Sequence, residues 1–472
     1  MSNAIPDRPA LQRAFDHALA YLEDLGTAPV APRATLEALR GALGRPLGAR
    51  PLAAPQVIDD LVADVAGGLH GSQGGRFFGW VIGGGVPAAI GADWLTSVWD
   101  QNACLHASGP AAAVAEEVAG AWLKDLFDLP AEASFAFVTG CQMAHVTCLA
   151  AARHAVLRDR GWDVERRGLA GGPPIRVLAN ADRHGSVDVA LRILGLGVDA
   201  LRPLALDADG RVSPEVLRAA LAEGDSPTIV ILQAGELNCA AFDPFGDLVP
   251  IAKAAGAWVH VDGAFGLWAK ASPTRRALAG GIELADSWST DGHKYLNVPY
   301  DSGLAFVRDA EAHRAAMTIA TSYLPAGGGV ARDPIDWNPE LSRRARGFPV
   351  YAALRQLGRS GLADLVDRTC DHAQALIDGV GALEGAEKIS GSSLNQGLVR
   401  FLAAGPGASE ADHDRRTDAV IAAINASGEA LFGGVTWRGR RCMRVSVSNW
   451  RTDADDVARA VVAVHAAMVA TS

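Results

Sequence analysis

The sequence predicts an α/β protein: a mostly parallel sheet with helices on both faces, a smaller C-terminal α/β domain and an N-terminal helical arm. Three observations lead there. From Phe135 onward, short runs rich in Val, Ile, Leu and Phe alternate with helix-sized segments. Most of these runs are closed by Gly, Asp or Pro, the residues that end strands. Of the 472 residues, 49% are hydrophobic, enough to bury a large core in two or three domains.

The elements follow in chain order. The first stretch shows helical apolar periodicity, interrupted near Ala28–Arg33 and Pro46–Pro55, and carries no chemical motif. Six strands are expected, beginning FAFVTG (Phe135), RVLAN (Arg176), ALRPLAL (Ala200), TIVILQAG (Thr228), AWVHVDG (Ala257) and GLAFVR (Gly303). After Pro349 the pattern becomes a helix, the strands LVRFLAA and CMRVSVSNW, and a last helix from Asp453. The resulting division is an arm over 1–75, a large domain over 76–348 and a small domain over 349–472.

A net charge of −10 argues against a nucleic-acid surface, which needs clustered cations. The N-terminus lacks the basic segment and apolar core of a secretory signal, and no apolar stretch reaches the ~20 residues that span a bilayer. The six cysteines are scattered without CxxC or zinc-ligand spacing. They predict neither structural disulfides nor a metal site, and a reducing cytoplasm.

In open parallel sheets ligands sit at the carboxyl ends of strands, and Gly140, His184, Asn238 and Asp262 fall there, with Lys294 a little later. Asp262 ends so apolar a strand that its carboxylate needs a cationic partner. Lys294 is one of five lysines in a chain that otherwise takes its cations from arginine. An amine can deprotonate and form a Schiff base, whereas a guanidinium cannot. The local segment supports two readings equally: an amine placed for chemistry, or a buried Lys294–Asp262 salt bridge. The segment FVTGCQMAHVTCLAAAR is a strand, a glycine turn and a helix start, where backbone N–H groups can bind a phosphate. The imidazole of His184 can stack on a planar ring or cap a helix.

The segments HVDGAFG, STDGHK, TGCQMAHVTCLAAAR and ADRHGSVDVALRILGLG resemble, in this combination, the pyridoxal-dependent decarboxylase family, which includes aromatic amino acid, histidine, glutamate and tyrosine decarboxylases. RFFGWVIGGGVPAAIGADWL, AAFDPFGDL and SRRARGFPVYAALRQLGRSGL extend the likeness over roughly Gly75 to Ala363. The resemblance implies the fold-type-I, aspartate-aminotransferase-like architecture, a homodimer with active sites at the interface, and pyridoxal 5'-phosphate (PLP) as cofactor. It implies decarboxylation of an L-amino acid to the primary amine and CO2, through an external aldimine and protonation of the carbanion.

By the same resemblance Lys294 is the Schiff-base lysine, Asp262 the partner of the pyridine nitrogen, Ala264 a neighbour of one ring face and His184 the stacking group on the other. Gly140, Cys141, Gln142 and His293 would hold the phosphate, with Asn238 nearby. Tyr323, in SYLPAGGG, would protonate the carbanion. Phe78, Trp80, His106 and Arg346 are candidate substrate contacts, Arg346 equally a structural ion pair. Two departures stand out: Cys141-Gln142-Met143 replaces the usual Ser/Thr-rich turn, and Gly235-Glu236-Leu237-Asn238 replaces a Gly-Thr-Thr segment. Glu236 then either meets a basic group or faces solvent. Transamination, aldol-type cleavage and decarboxylation-coupled oxidative deamination use the same frame and stay open. A non-PLP α/β binding protein has little support, since no GxGxxG or GxxxxGK[ST] follows a strand.

Overall fold

The computed structural model describes residues 7–319 and 331–472. Among them, seven strands form the large sheet: β1 (Ser134–Val138), β2 (Arg176–Asn180), β3 (Leu201–Leu204), β4 (Thr228–Gln233), β5 (Trp258–Asp262), β6 (Ser287–Asp291) and β7 (Gly303–Val307). Their spatial order is β1-β7-β6-β5-β4-β2-β3, and β7 alone runs against its neighbours. Alternation along each strand divides the core between the two faces. Phe135, Phe137, Val230 and Leu232 join one apolar cluster, and Ala136, Val138, Ile229 and Ile231 the other.

All six expected strands form, and β6 is one that apolar patterning misses. It reads SWSTD yet is buried at every residue, because it lies between β5 and β7. Its hydroxyls are hydrogen-bonded: Ser287 Oγ accepts from Trp258 Nε1, and Thr290 Oγ1 donates to the Ala264 carbonyl.

Three helices, α1 (Arg8–Asp24), α2 (Leu36–Leu43) and α3 (Ala54–Val65), form the arm and contain no buried residue. Then come α4 (Pro87–Trp99), α5 (Pro110–Leu126) and α6 (Cys141–Arg158), the last following β1 after a single turn. The second sheet, in the order β10-β11-β9-β8, comprises β8 (Ala386–Lys388), β9 (Gln396–Phe401), β10 (Gly433–Trp437) and β11 (Arg440–Ser446). Helices 410–427 and 454–470 and the later part of helix 347–381 share its core. That long helix crosses residue 349 and breaks its helical geometry at Gly358. The last helix starts as expected, with the Asp453 side chain accepting from Asp456 N–H. Among the described residues, no helix is long and apolar enough to cross a membrane.

Candidate active site

The carboxyl ends of β1, β4, β5 and β6 converge on a cleft of about 490 Å³. Gly140, Cys141, Gln142, His184, Asp262, Ala264, His293, Lys294 and Trp80 all line it, so the fold gathers most of the expected site residues in one place.

Gly140 caps α6 at the edge of the cleft, and Cys141 N–H donates to Asp291 Oδ1 at 2.6 Å. Asp291, at the end of β6, therefore sits at the positive end of α6. Its other oxygen lies 2.9 Å from Lys294 Nζ. Lys294 thus pairs with Asp291, three residues earlier, and the simple Lys294–Asp262 salt bridge is not what forms. Burial opposes the charge on Lys294, but Asp291, with Asp262 behind it, outweighs burial and holds the ammonium above the ordinary lysine value.

Asp262 is buried at the floor. Burial pushes its carboxyl up, yet His145 and Lys294 hold it well below the usual carboxylate range. Its Oδ1 accepts from Ala264 N–H at 3.2 Å, and its Oδ2 lies 3.5 Å from His145 Nε2. Cys141 Sγ, 3.8 Å from His145 and 3.9 Å from Asp262, completes the one cluster of metal-ligating side chains found among the described residues. Burial pushes the Cys141 thiol up, so it stays protonated.

His184 caps helix 185–193, accepting from Ser186 N–H through Nδ1, and burial lowers its pKa, which leaves a neutral ring at the cleft wall. His293 Nδ1 accepts from Ser302 N–H, and its ring stacks on Tyr300 at 4.2 Å.

Four expected residues lie elsewhere. Phe78 is 0% exposed and stacks on Phe432 in the core of the small domain, because its strand-like segment pairs with Leu431. His106 is placed by its backbone N–H on Asp333 and does not line the cleft. Arg346 is held by Asp301 and Glu340, which makes it the structural ion pair of its two readings. Asn238 packs beneath its own loop, where Glu236 accepts from the backbone N–H groups of Asn238 and Cys239. Glu236 is 1% exposed and turns into its own loop rather than to solvent. Tyr323 lies outside the described residues.

Sequence reasoning missed Asp291, Gln233, Leu237, Tyr300, His145 and Arg444. Asp291 carried a signal, standing three residues before the lysine. His145 carried another, one helical turn after Cys141. Arg444 is flanked by the buried Met443 and Val445, and alternation in β11 turns it the other way, across to the Leu237 carbonyl at 3.1 Å.

An amine held by a carboxylate, a second carboxylate kept anionic at the floor and a helix start open to an anion suit a phosphorylated, ring-nitrogen cofactor. The set fits PLP: Lys294 for its aldehyde, Asp262 for its ring nitrogen, the Gly140–Gln142 turn for its phosphate. Fold and site define a PLP enzyme of fold type I.

The comparisons narrow this to a family. The pyridoxal-dependent decarboxylase conserved domain matches residues 41–403. An L-2,4-diaminobutyrate decarboxylase of Rhizobium meliloti is 30% identical over 80% of this chain and 74% of its own. Tryptophan decarboxylase 1 of Oryza sativa subsp. japonica is 28% identical over 95% of this chain and 90% of its own. The crystal structure of Oryza sativa TDC with PLP and tryptamine superposes with a TM-score of 0.92 at 24% identity, covering 100% of this chain and 99% of that one. The chain belongs to the pyridoxal-dependent decarboxylase family: it is a carboxy-lyase whose cofactor is PLP.

Proposed function

We propose that this enzyme converts an L-amino acid with an apolar, aromatic side chain to its primary amine and CO2, as a cytoplasmic homodimer. The observation that carries the chemistry is the convergence of Lys294, Asp262, His184 and the α6 N-terminus on one cleft. Bound PLP supplies the electron sink for the pair released when the Cα–carboxylate bond breaks.

Lys294 would hold the cofactor through its aldehyde, and Asp291 at 2.9 Å fixes where its Nζ stands. Asp262 would keep a positive charge on the ring nitrogen, and the neutral ring of His184 would offer a flat face beside it. The Gly140–Gln142 turn would hold the phosphate through the N–H groups that Asp291 does not take. Tyr323 delivers a proton to Cα in place of the departing carboxylate, so substrate and one proton become amine and CO2. With Tyr323 as the donor, Tyr323→Phe slows amine formation at least tenfold; an unchanged rate removes it from that role.

The aromatic class rests on the lining. Trp80, Phe265, Tyr300 and Leu237 border the cleft with Arg444, while the acid closest to that loop, Glu236, is committed to backbone N–H groups. Such a lining suits the substrate type in the rice relative's name more than the diamine in the rhizobial one. In a panel scored for CO2 and amine, tryptophan, tyrosine and phenylalanine turn over and 2,4-diaminobutyrate does not. Preference for the diamino acid contradicts the class, and release of an oxo-acid contradicts decarboxylation itself.

Dimerisation is supported by apolar side chains left in water. Leu11 on α1, Leu61 on α3 and Trp94, Val98 and Trp99 on α4 are each at least 40% exposed, apolar surface that a partner subunit would cover. The six cysteines are buried free thiols, as suits a reducing cytoplasm. Sedimentation at micromolar concentration gives twice the chain mass; a monomer contradicts the assembly.

A further inference from the structure

Alternation along β5 puts Trp258, His260 and Asp262 on one face of the sheet, and alternation along β6 puts Ser287 and Ser289 on the same face. Register sets His260 beside Ser287 and Asp262 beside Ser289. The helix α6 lies across this face and lowers His145 onto the row. The result is a continuous line of buried polar groups from Trp258 to the floor of the cleft.

Each link has a direction. An indole N–H only donates, and Trp258 Nε1 lies 2.9 Å from Ser287 Oγ. The hydroxyl that accepts it has one proton to give, and His260 Nδ1 stands 2.9 Å away. Burial pushes the pKa of His260 down to about 3, so this ring is neutral and carries a single proton. Accepting at Nδ1 places that proton on Nε2, which lies 2.9 Å from His145 Nδ1. Ser289 Oγ lies 3.3 Å from the same nitrogen and 3.4 Å from the Val261 carbonyl, so its one proton has two acceptors within reach. His145 therefore carries its own proton on Nε2, facing Asp262 Oδ2 at 3.5 Å. Reversing the chain would make Ser287 accept from both sides and leave its buried proton only the weakly accepting sulfur of Cys148.

We propose that Trp258, Ser287, His260 and His145 form a one-way hydrogen-bond chain that holds Asp262 anionic, and that His145 is thereby a positioning residue setting the protonation of the cofactor's ring nitrogen. The proposal rests on Asp262 facing that nitrogen. It gives a reason for an imidazole on α6 one turn after Cys141, where no other role is apparent. It also explains why a buried, polar β6 is retained beside β5.

The test is the ring-nitrogen NMR signal of holoenzyme reconstituted with 15N-labelled PLP near neutral pH, read with the PLP dissociation constant. Wild type shows a protonated ring nitrogen. His145→Leu removes the donor: the signal moves toward neutral pyridine, and PLP binds about tenfold more weakly, as loss of a hydrogen bond to a charged group predicts. His145→Gln, whose amide also donates, restores both. Trp258→Phe removes the donor-only origin and moves the signal the same way by a smaller amount, which tests the chain without touching His145. A wild-type signal and affinity in both His145→Leu and Trp258→Phe overturns the proposal. Asp262→Asn separates the two ideas: if it moves the signal while those variants do not, only the chain fails. If Asp262→Asn leaves the signal unmoved, the assignment of Asp262 fails with it.

Discussion

Replacing Gly303 by alanine puts a methyl group where the sheet meets the turn before α6. Gly303 opens β7 with Val138 of β1 on one side and Asp291 of β6 on the other. A Cβ there would lie 2.4, 2.5 and 2.6 Å from Gly140 Cα, C and N, about 1 Å inside the 3.4 Å at which ordinary contact begins. All three obstacles are backbone, so no side-chain rotation relieves the clash: either β7 leaves β6 or the Gly140–Cys141 turn moves outward. Overpacking of this kind costs about 1–3 kcal/mol. Moving the turn also pulls Cys141 N–H from its 2.6 Å contact with Asp291 and misplaces the anion site. If that whole strain is felt in the cofactor complex, PLP binds about 5–150-fold more weakly. The assay is a fluorescence titration of apoenzyme with PLP beside a urea melt. Gly224→Ala, whose added Cβ would meet no atom within 4 Å, is the control. A PLP affinity within twofold of wild type, with an unchanged melt, refutes the idea that this close approach shapes the cradle.

Lys294→Ala abolishes borohydride trapping of PLP on the chain; a pyridoxyl adduct still found elsewhere by mass spectrometry would remove Lys294 from its role. Glu116→Ala strands the fully buried Arg343, now held by two 2.7 Å contacts, and lowers stability by about 3–5 kcal/mol in urea. Replacing both partners with Leu and Met recovers most of that loss, and a single-variant cost below about 1 kcal/mol contradicts the burial argument. His313, buried between Ser134 Oγ and the Trp337 carbonyl, is pushed down to about 3, chiefly by burial. Its folded pKa lies below the unfolded value, so its contribution is complete above about pH 6.5 and is lost as pH falls toward 3. His313→Gln therefore flattens the acid slope of stability by up to about 1.4 kcal/mol per pH unit, and an unchanged slope contradicts it.

Much of the fold and site was legible because it is written in local patterns. The six strand runs follow from apolar alternation and their Gly, Asp and Pro boundaries. Asp262, His184 and the Gly140 turn follow from standing at strand ends. Lys294 stood out because the chain otherwise uses arginine. The strand β6 was not legible, since a run of Ser, Thr and Asp becomes strand only when its neighbours satisfy every hydroxyl. Phe78 and Trp80 are two residues apart in one apolar segment. Only the pairing of that segment with Leu431 decides that Phe78 is buried in the small domain while Trp80 borders the cleft.

The sequence by itself determined the α/β class and the placing of Asp262, Lys294 and the Gly140 turn at or just beyond strand ends, because each depends on residues adjacent along the chain; their roles came from the family resemblance. Tertiary structure alone decided who pairs with whom. Lys294 takes Asp291, Asp262 takes His145, Glu236 turns into its own loop, and Arg444 reaches the cleft from a second sheet. Those pairings depend on strand order, register and the face α6 covers. Such relations join residues up to about two hundred positions apart, and the short-range periodicities of the chain do not encode them.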